Sequence, residues 1–279
     1  MKILVTGAKG MLGTDLLAAF SAKHDVIGVD IDGFDVTDNV VTGKNIARIN
    51  PDIVVHAAAF TNVDGCETNV ALAYKVNAVG TQNIALGCQA LDIPMLYIST
   101  DFVFDGKKGE RYLEWDMPNP LAVYGASKYA GEQIVRALLN KFYVVRIAWL
   151  YGEHGNNFVK TILRLADEKD RLQIVSDQVG SPTYTKDAAR GILKLLATQN
   201  YGTYHMVNKG EVSWFGFASK ILELAGRNDI VVEPITTQAL NRPAKRPGFS
   251  ALRNMALELT IGDFMRPWDA ALEEFMIKR

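Results

Sequence analysis

The sequence predicts an α/β fold, a doubly wound parallel sheet followed by a smaller α/β lobe at the C-terminal end. Three observations predict it. Short, continuous apolar runs of strand length alternate with stretches of helical period, as a parallel sheet covered on both faces requires. Glycines crowd the first strand-to-helix turn. Beyond residue 150 the alternation loosens, yet no Gly/Ser-rich linker intervenes, so the second part is expected to pack directly against the first.

In order, "KILVTG" reads as the first strand, "GMLGTDLLAAFSA" as a helix, "HDVIGVD" as the second strand and "NVVTGKNIARIN" as the next helix. "PDIVVHAAA" is the third strand, "VALAYKVNAVGTQNIALGCQAL" one long helix, and "PMLYIST" the fourth strand. "YGASK", at 124–128, opens a run, Lys128–Leu139, that reads as helix, and "FYVVRIAWLYG" reads as the fifth strand. These residues, 1–150, are expected to form a dinucleotide-binding domain. Residues 151–279 are expected to form mainly a substrate-binding lobe, with exchange of a strand or helix between the two parts. Its helices are read at "FVKTILRLADE", "DAARGILKLLAT", "FGFASKILELAG" and "WDAALEEFMIKR", its strands at "LQIV", "GTYHMV" and "IVVEPI".

A chain of 279 residues with 48% hydrophobic and 22% charged residues can bury a substantial core. A formal net charge of −1 gives no electrostatic case for nucleic acid or an anionic membrane as partner. No apolar run approaches the ~20 residues that cross a bilayer, and the N-terminus enters a strand directly, so no leader is expected. Two cysteines, Cys66 and Cys88, make no disulfide framework and suggest a reducing, cytoplasmic setting. The four histidines are too scattered for a local metal motif, and no metal is assigned.

"TGAKGMLG" spaces Gly7, Gly10 and Gly13 three apart, wider than the usual Rossmann-type dinucleotide fingerprint. Glycine allows a sharp turn, close approach of backbone to pyrophosphate, and tight contact of helix with strand. Asp30 closes the second strand, where a carboxylate accepts a hydrogen bond from the adenosine ribose and disfavours a 2′-phosphate. It is also readable as a turn residue, since Asp30, Asp32 and Asp35 crowd one loop. Small residues Ala57, Ala58 and Ala59 either let backbone lie along a cofactor or allow close helix packing. Tyr124 and Lys128, four apart, share one helical face. They are either a surface pair or a proton donor with a neighbouring cation.

Four ordered motifs, GxxGxxG, "AAAFTNVDGCE", "STDFVFDG" and YxxxK, resemble those of the extended short-chain dehydrogenase/reductase superfamily. "GNNFVKTILRLA", "SDQVGSPT" and "RPAKRP" narrow the resemblance to the dTDP-4-dehydrorhamnose reductase family over essentially the whole chain. The resemblance implies NADPH or NADH as cofactor, held by Gly7, Gly10, Met11, Leu12, Gly13, Asp30, Asp35, Val36, Ala57, Ala58, Ala59, Thr61, Tyr124 and Lys128. It implies a nucleotide-sugar ketone as substrate, with Thr100 binding the carbonyl oxygen and Tyr124 donating the proton. Bringing a phenol from pH ~10 to neutrality needs roughly 4 kcal/mol of preferential stabilisation of its anion, for which the Lys128 ammonium and an oxidised nicotinamide are the expected sources. Ser99 is expected to point to the other side of its strand.

Thr61, Val63, Thr100, Asp101, Trp149, Arg242 and Arg246 are implied as substrate contacts. Asp101 is alternatively a turn cap, Trp149 a core residue, and the arginines solvated loop charges. Asn77 is read as a mid-helix amide that disturbs helix geometry, or as ordinary polar packing. Phe102 replaces the family's usual tyrosine. Some relatives dimerise through a metal; here Lys186 stands where an acid is expected, with Asp15 near another such position. A monomer or a homodimer without a metal bridge is therefore expected. Two other readings stand beside the reductase: an epimerase or dehydratase, and a non-catalytic NADP-binding regulatory subunit. The dehydratases' Asp–Glu pair is Asp101–Phe102 here, so their acid–base set is incomplete.

Overall fold

Ile3 and Val5 of β1 (Lys2–Thr6) are buried in one apolar cluster and Leu4 in another. Successive side chains leave opposite faces of a strand, so this alternation means that both faces of the sheet are covered. In the computed structural model, which describes residues 1–278, β1 is followed by α1 (Met11–Ser21), β2 (Asp25–Val29), α2 (Asn39–Ile49), β3 (Ile53–His56) and α3 (Val63–Thr68). Next come α4 (Val70–Tyr74), a π-helical turn over Lys75–Gly80, α5 (Thr81–Ala90), β4 (Met95–Thr100), a 3₁₀ turn over Asp101–Val103, α6 (Val123–Leu138) and β5 (Phe142–Ile147). The remainder contains β6 (Leu150–Tyr151), α7 (Phe158–Glu168), β7 (Arg171–Val175), β8 (Val179–Gly180), β9 (Thr183–Tyr184), α8 (Thr185–Leu196), β10 (Gly202–His205) and β11 (Val212–Ser213). It ends with α9 (Trp214–Leu224), β12 (Val231–Ile235), α10 (Thr237–Leu240), α11 (Met255–Thr260) and α12 (Trp268–Ile277).

The main sheet has the order β2-β1-β3-β4-β5-β10, every neighbouring pair parallel. The chain leaves β1 in one direction to β2 and returns on its other side to β3, which puts the topological switch between β1 and β3. One face is covered by α1 together with α8 and α11, the other by α2, α5 and α6. A separate apolar cluster joins α7, α9 and α12 in the C-terminal lobe. Strand β10 and helix α8 both come from beyond residue 150, so the later residues complete the sheet as well as building the lobe. Among the described residues no helix is long and apolar enough to cross a membrane.

Three readings of the sequence need correction. The fifth strand is broken: β5 ends at Ile147, and Leu150–Tyr151 pairs with β9 in a different sheet. Trp149 causes the break, with φ +45 in the left-handed region, a conformation costly for a bulky residue. Gly180 makes room for its indole, since a Cβ there would lie 2.3 Å from the ring. The long helix between β3 and β4 is interrupted by the π-helical turn, with Asn77 inside it. Finally, α6 begins at Val123 rather than Lys128, because Glu67 Oε1 accepts the Val123 N–H at 2.8 Å and satisfies a first-turn donor.

Candidate active site

The C-terminal ends of β1, β3, β4 and β5 open into a cleft of about 940 Å³. Gly7, Gly10, Met11, Leu12, Gly13, Asp30, Asp35, Val36, Ala57, Ala58, Ala59, Thr61, Val63, Thr100, Asp101, Tyr124, Lys128, Trp149 and Arg246 all line it. Arg242 does not; its side chain lies outside, 3.6 Å from Asp64 and largely exposed.

At the glycine turn, Gly7 has φ +69, and a Cβ on it would lie 2.6 Å from the Ala58 nitrogen. A Cβ on Gly13 would lie 2.1 Å from the Gly7 oxygen. Gly7 is therefore required by the packing of the loop against Ala57–Ala58, and Gly13 by the packing of α1 against the loop backbone at Gly7–Ala8. What the loop leaves for a ligand is the N-terminus of α1. Gly10 caps it with no side-chain hydrogen bond, so its first N–H groups are unpaired donors carrying the positive end of the helix dipole. An uncapped N-terminus beside a wall of alanines fits the pyrophosphate of a dinucleotide.

Asp30 directly follows β2 and lines the cleft. It also braces the turn. Its Oδ2 accepts the Lys9 N–H at 2.9 Å and its Oδ1 the Ile31 N–H at 2.9 Å. Each carboxylate oxygen keeps a further lone pair for a ribose hydroxyl.

At the end of β4 the Thr100 hydroxyl donates to Asp101 Oδ1 at 3.1 Å and accepts the Phe102 N–H at 3.2 Å. Asp101 also accepts from Ser250 Oγ at 2.6 Å. Ser99 turns away as expected and donates to Glu132 Oε1 at 2.6 Å, although part of the residue still borders the cleft. Helix α6 brings Tyr124 over this strand end because Gly125 allows it. A Cβ there would sit 2.1 Å from the Phe102 oxygen. The Phe102 ring meets Tyr124 edge-on, with centroids 5.6 Å apart.

Asn77 does more than disturb its helix. Its Oδ1 accepts the Phe60 N–H at 2.8 Å, while its Nδ2 donates to the Phe60 oxygen at 3.1 Å and to Ser127 Oγ at 3.0 Å. The π-helical turn thus ties the loop after β3 to α6, and with it to Tyr124 and Lys128.

The electrostatics differ from the expected acidified phenol. Burial pushes the Tyr124 phenol above its usual value; the Thr100 hydroxyl opposes this, and Asp101 and Cys66 add to it. Lys128 is 3% exposed; its ammonium lies 4.2 Å over the Tyr97 ring and is brought down by burial to about 7, with Glu132 acting in the opposite sense. Burial raises Asp101 to about 6 against the hydrogen bonds from Ser250 and Thr100. With only protein around them, these groups are held toward their neutral forms, since desolvation penalises charge more than the neighbours favour it.

Trp149 is paired face to face with Trp214, ring centroids 3.4 Å apart and planes at 4°. Both indoles line the cleft. Arg246 is anchored at the cleft by Asp64 Oδ2 at 3.0 Å and the Ala244 oxygen at 2.9 Å. Lys186 gives its ammonium to the Glu153 carboxylate, and one oxygen of buried Asp15 has no partner among the described residues. No group of three or more His, Cys, Asp or Glu is placed to hold a metal among the described residues.

The sequence reading missed Trp214, Lys9, Leu72 and Val76, all in the lining. Trp214 stands far along the chain from Trp149 and opens an ordinary amphipathic helix. Lys9 occupies a variable position of the glycine motif.

The protein-family comparison matches the RmlD substrate binding domain model over residues 1–279. The spore coat polysaccharide biosynthesis protein SpsK of Bacillus subtilis is 39% identical over 100% of this chain and 98% of its own length. A dTDP-4-dehydrorhamnose reductase structure from Clostridium acetobutylicum superposes with a TM-score of 0.98 at 46% identity, covering 100% of this chain and 99% of that one. A dTDP-4-dehydrorhamnose reductase from Bacillus anthracis, solved in complex with NADP, gives 0.97 at 42% identity with the same coverage. With the uncapped glycine turn, the β4 threonine and the α6 Tyr–Lys pair gathered on one cleft, and likeness running from the first residue to the last, this chain belongs to the RmlD substrate binding domain family.

Proposed function

We propose that this protein is an NAD(P)H-dependent oxidoreductase that reduces the 4-keto group of dTDP-4-dehydro-β-L-rhamnose to dTDP-L-rhamnose, in the supply of polysaccharide precursors. The observation that carries the reading is the convergence of Thr100, Tyr124 and Lys128 on the cleft that holds the glycine turn. The names of the full-length relatives support the choice of sugar.

When bound, a reduced nicotinamide would supply the hydride that the ketone carbon needs. Thr100 binds the oxygen where negative charge develops, turning its hydroxyl from Asp101 to do so. Tyr124 gives that oxygen its proton. A phenol held protonated by burial is suited to this direction, because an alkoxide is a far stronger base than a phenolate. Lys128 and the unpaired N–H groups of α1 would hold the cofactor's ribose and pyrophosphate. Arg246 offers a guanidinium to the substrate diphosphate.

Phe102 stands edge-on to Tyr124 where the dehydratases carry a glutamate, so the site lacks the second acid that loss of water needs. Following NADPH and NADH oxidation against a panel of nucleotide-linked ketosugars tests the reading. Stoichiometric oxidation with dTDP-4-dehydro-β-L-rhamnose supports it. Turnover of a nucleotide sugar without added reduced cofactor points to an epimerase or dehydratase instead, and cofactor binding without any turnover to a regulatory subunit. Tyr124→Phe is expected to retain cofactor binding and lose turnover by orders of magnitude.

A further inference from the structure

We propose that Asp101, held by Ser250, is a positioning residue of the reduction: as a neutral acid it donates to the Thr100 hydroxyl and so turns that hydroxyl's own proton onto the ketone oxygen. The inference rests on the ketoreductase reading above and deepens it at the carbonyl.

A count of protons carries it. The Thr100 hydroxyl has one proton and two lone pairs. One lone pair takes the Phe102 N–H at 3.2 Å, and the single proton goes to Asp101 Oδ1 at 3.1 Å. While Asp101 is a carboxylate it can only accept, and Thr100 has nothing left to donate to a ketone oxygen. A proton on Oδ1 reverses that contact. Asp101 then donates into the second lone pair of Thr100, and the Thr100 proton is free to point into the cleft.

Ser250 settles which oxygen takes the acid proton. Its hydroxyl donates to Asp101 Oδ2 at 2.6 Å, which leaves Oδ1, on the Thr100 side, as the atom to protonate. The Ser250 N–H is fixed on the Val179 oxygen at 2.8 Å, and the Ala251 oxygen accepts the Tyr112 N–H at 2.9 Å, so that hydroxyl is rigidly placed. Asp101 and Ser250 are each 2% exposed, and so dry a site favours the neutral acid. The titratable and charged groups around it are Tyr124 and Lys128 on α6, Cys66 on α3 and Arg246 at the cleft. Arg246 is already paired with Asp64. Among the described residues none of the four is bonded to Asp101, whose side-chain partners are Thr100 and Ser250. Tyr124 remains the source of the proton that ends on the new hydroxyl; Asp101 keeps its own.

Turnover of the full-length protein against pH, at saturating cofactor and ketosugar, tests this beside an infrared titration of the protein alone. In the wild type the protonated-carboxyl band is expected to fade through about pH 6. Turnover is expected to fall about tenfold per pH unit above the corresponding point in the complex. Asp101→Asn, whose amide donates to Thr100 at every pH, is expected to lose the band, stay within about threefold of the wild type at acid pH and show no such fall. Ser250→Ala removes a donor that favours the carboxylate, so the band and the fall are expected to move together to higher pH. A purely structural pair would instead lower turnover evenly across pH. A fall unchanged in Asp101→Asn, or a Ser250→Ala profile at the wild-type position, overturns the proposal and leaves the ketoreductase reading standing. Wild-type protein that turns over no ketosugar overturns both. Should Asp101→Asn unfold early, the position of the Ser250→Ala profile decides alone.

Discussion

Lys128 illustrates what holding a reactive side chain in place costs the fold. Burial lowers it from 10.5 to about 7. Between these pH values the unfolded chain binds the proton and the folded one does not, so stability rises with pH across the window and is lost as pH falls through about 7. The penalty at neutral pH is on the order of 4 kcal/mol. Lys128→Met is therefore expected to raise the melting temperature at pH 7 while abolishing turnover, with the gain fading as the pH approaches 10. Asp101 runs the other way. Raised from 3.8 to about 6, its contribution is fully present below about 3.8 and lost as pH rises through about 6. Asp101→Asn should remove that loss, seen as a flatter plot of stability between pH 4 and 7. Arg242 and Arg246 separate at this scale as well. Arg246 faces the cleft and is oriented by Asp64, whereas Arg242 is largely exposed outside it. Titration with dTDP should show Arg246→Ala about tenfold weaker and Arg242→Ala close to wild type.

Helix α6 is the element on which the site depends, and glycines set its position. A Cβ at Gly131 would lie 2.4 Å from the Tyr97 hydroxyl and 2.7 Å from the Asn77 backbone oxygen. Backbone in the π-helical turn cannot yield, so Gly131→Ala is expected to push α6 off the sheet. The expected cost is about 1–3 kcal/mol in urea unfolding, with a larger loss of turnover than of cofactor binding. Much of this was legible from sequence. The glycine turn, the strand-end threonine and the Tyr–Lys spacing are local patterns, and local patterns survive in one dimension. The break after β5 was not legible, because "RIAWLYG" stays apolar through a corner that depends on Gly180, remote in sequence. Nor was the role of Glu132 on α6 and Arg146 on β5, whose partnership joins a helix to a strand. Buried, they form a two-pronged pair with Nε–Oε1 at 2.9 Å and Nη2–Oε2 at 2.8 Å. The dryness around Tyr124 was not legible for a related reason: spacing announces a neighbouring lysine but not how far burial holds the phenol protonated.

Across the whole molecule, we propose that the division near residue 150 is functional and that folding does not respect it. Removing the later residues would strip β10 from β5 and take Ala188, Ile192, Leu195, Tyr204 and Met206 out of the sheet's apolar face. It would also take His205 from beside the Arg146 guanidinium. A fragment of residues 1–150 is expected to lack a cooperative unfolding transition, while the full chain melts in one; a folded, dinucleotide-binding fragment would refute this. The same joining of parts sets Trp149, at the corner after β5, against Trp214, at the start of α9. Two parallel indoles in contact are electronically coupled chromophores. Their circular dichroism should carry a split band and their emission should be quenched, so a sugar nucleotide that parts the rings would announce its arrival as light, without any label.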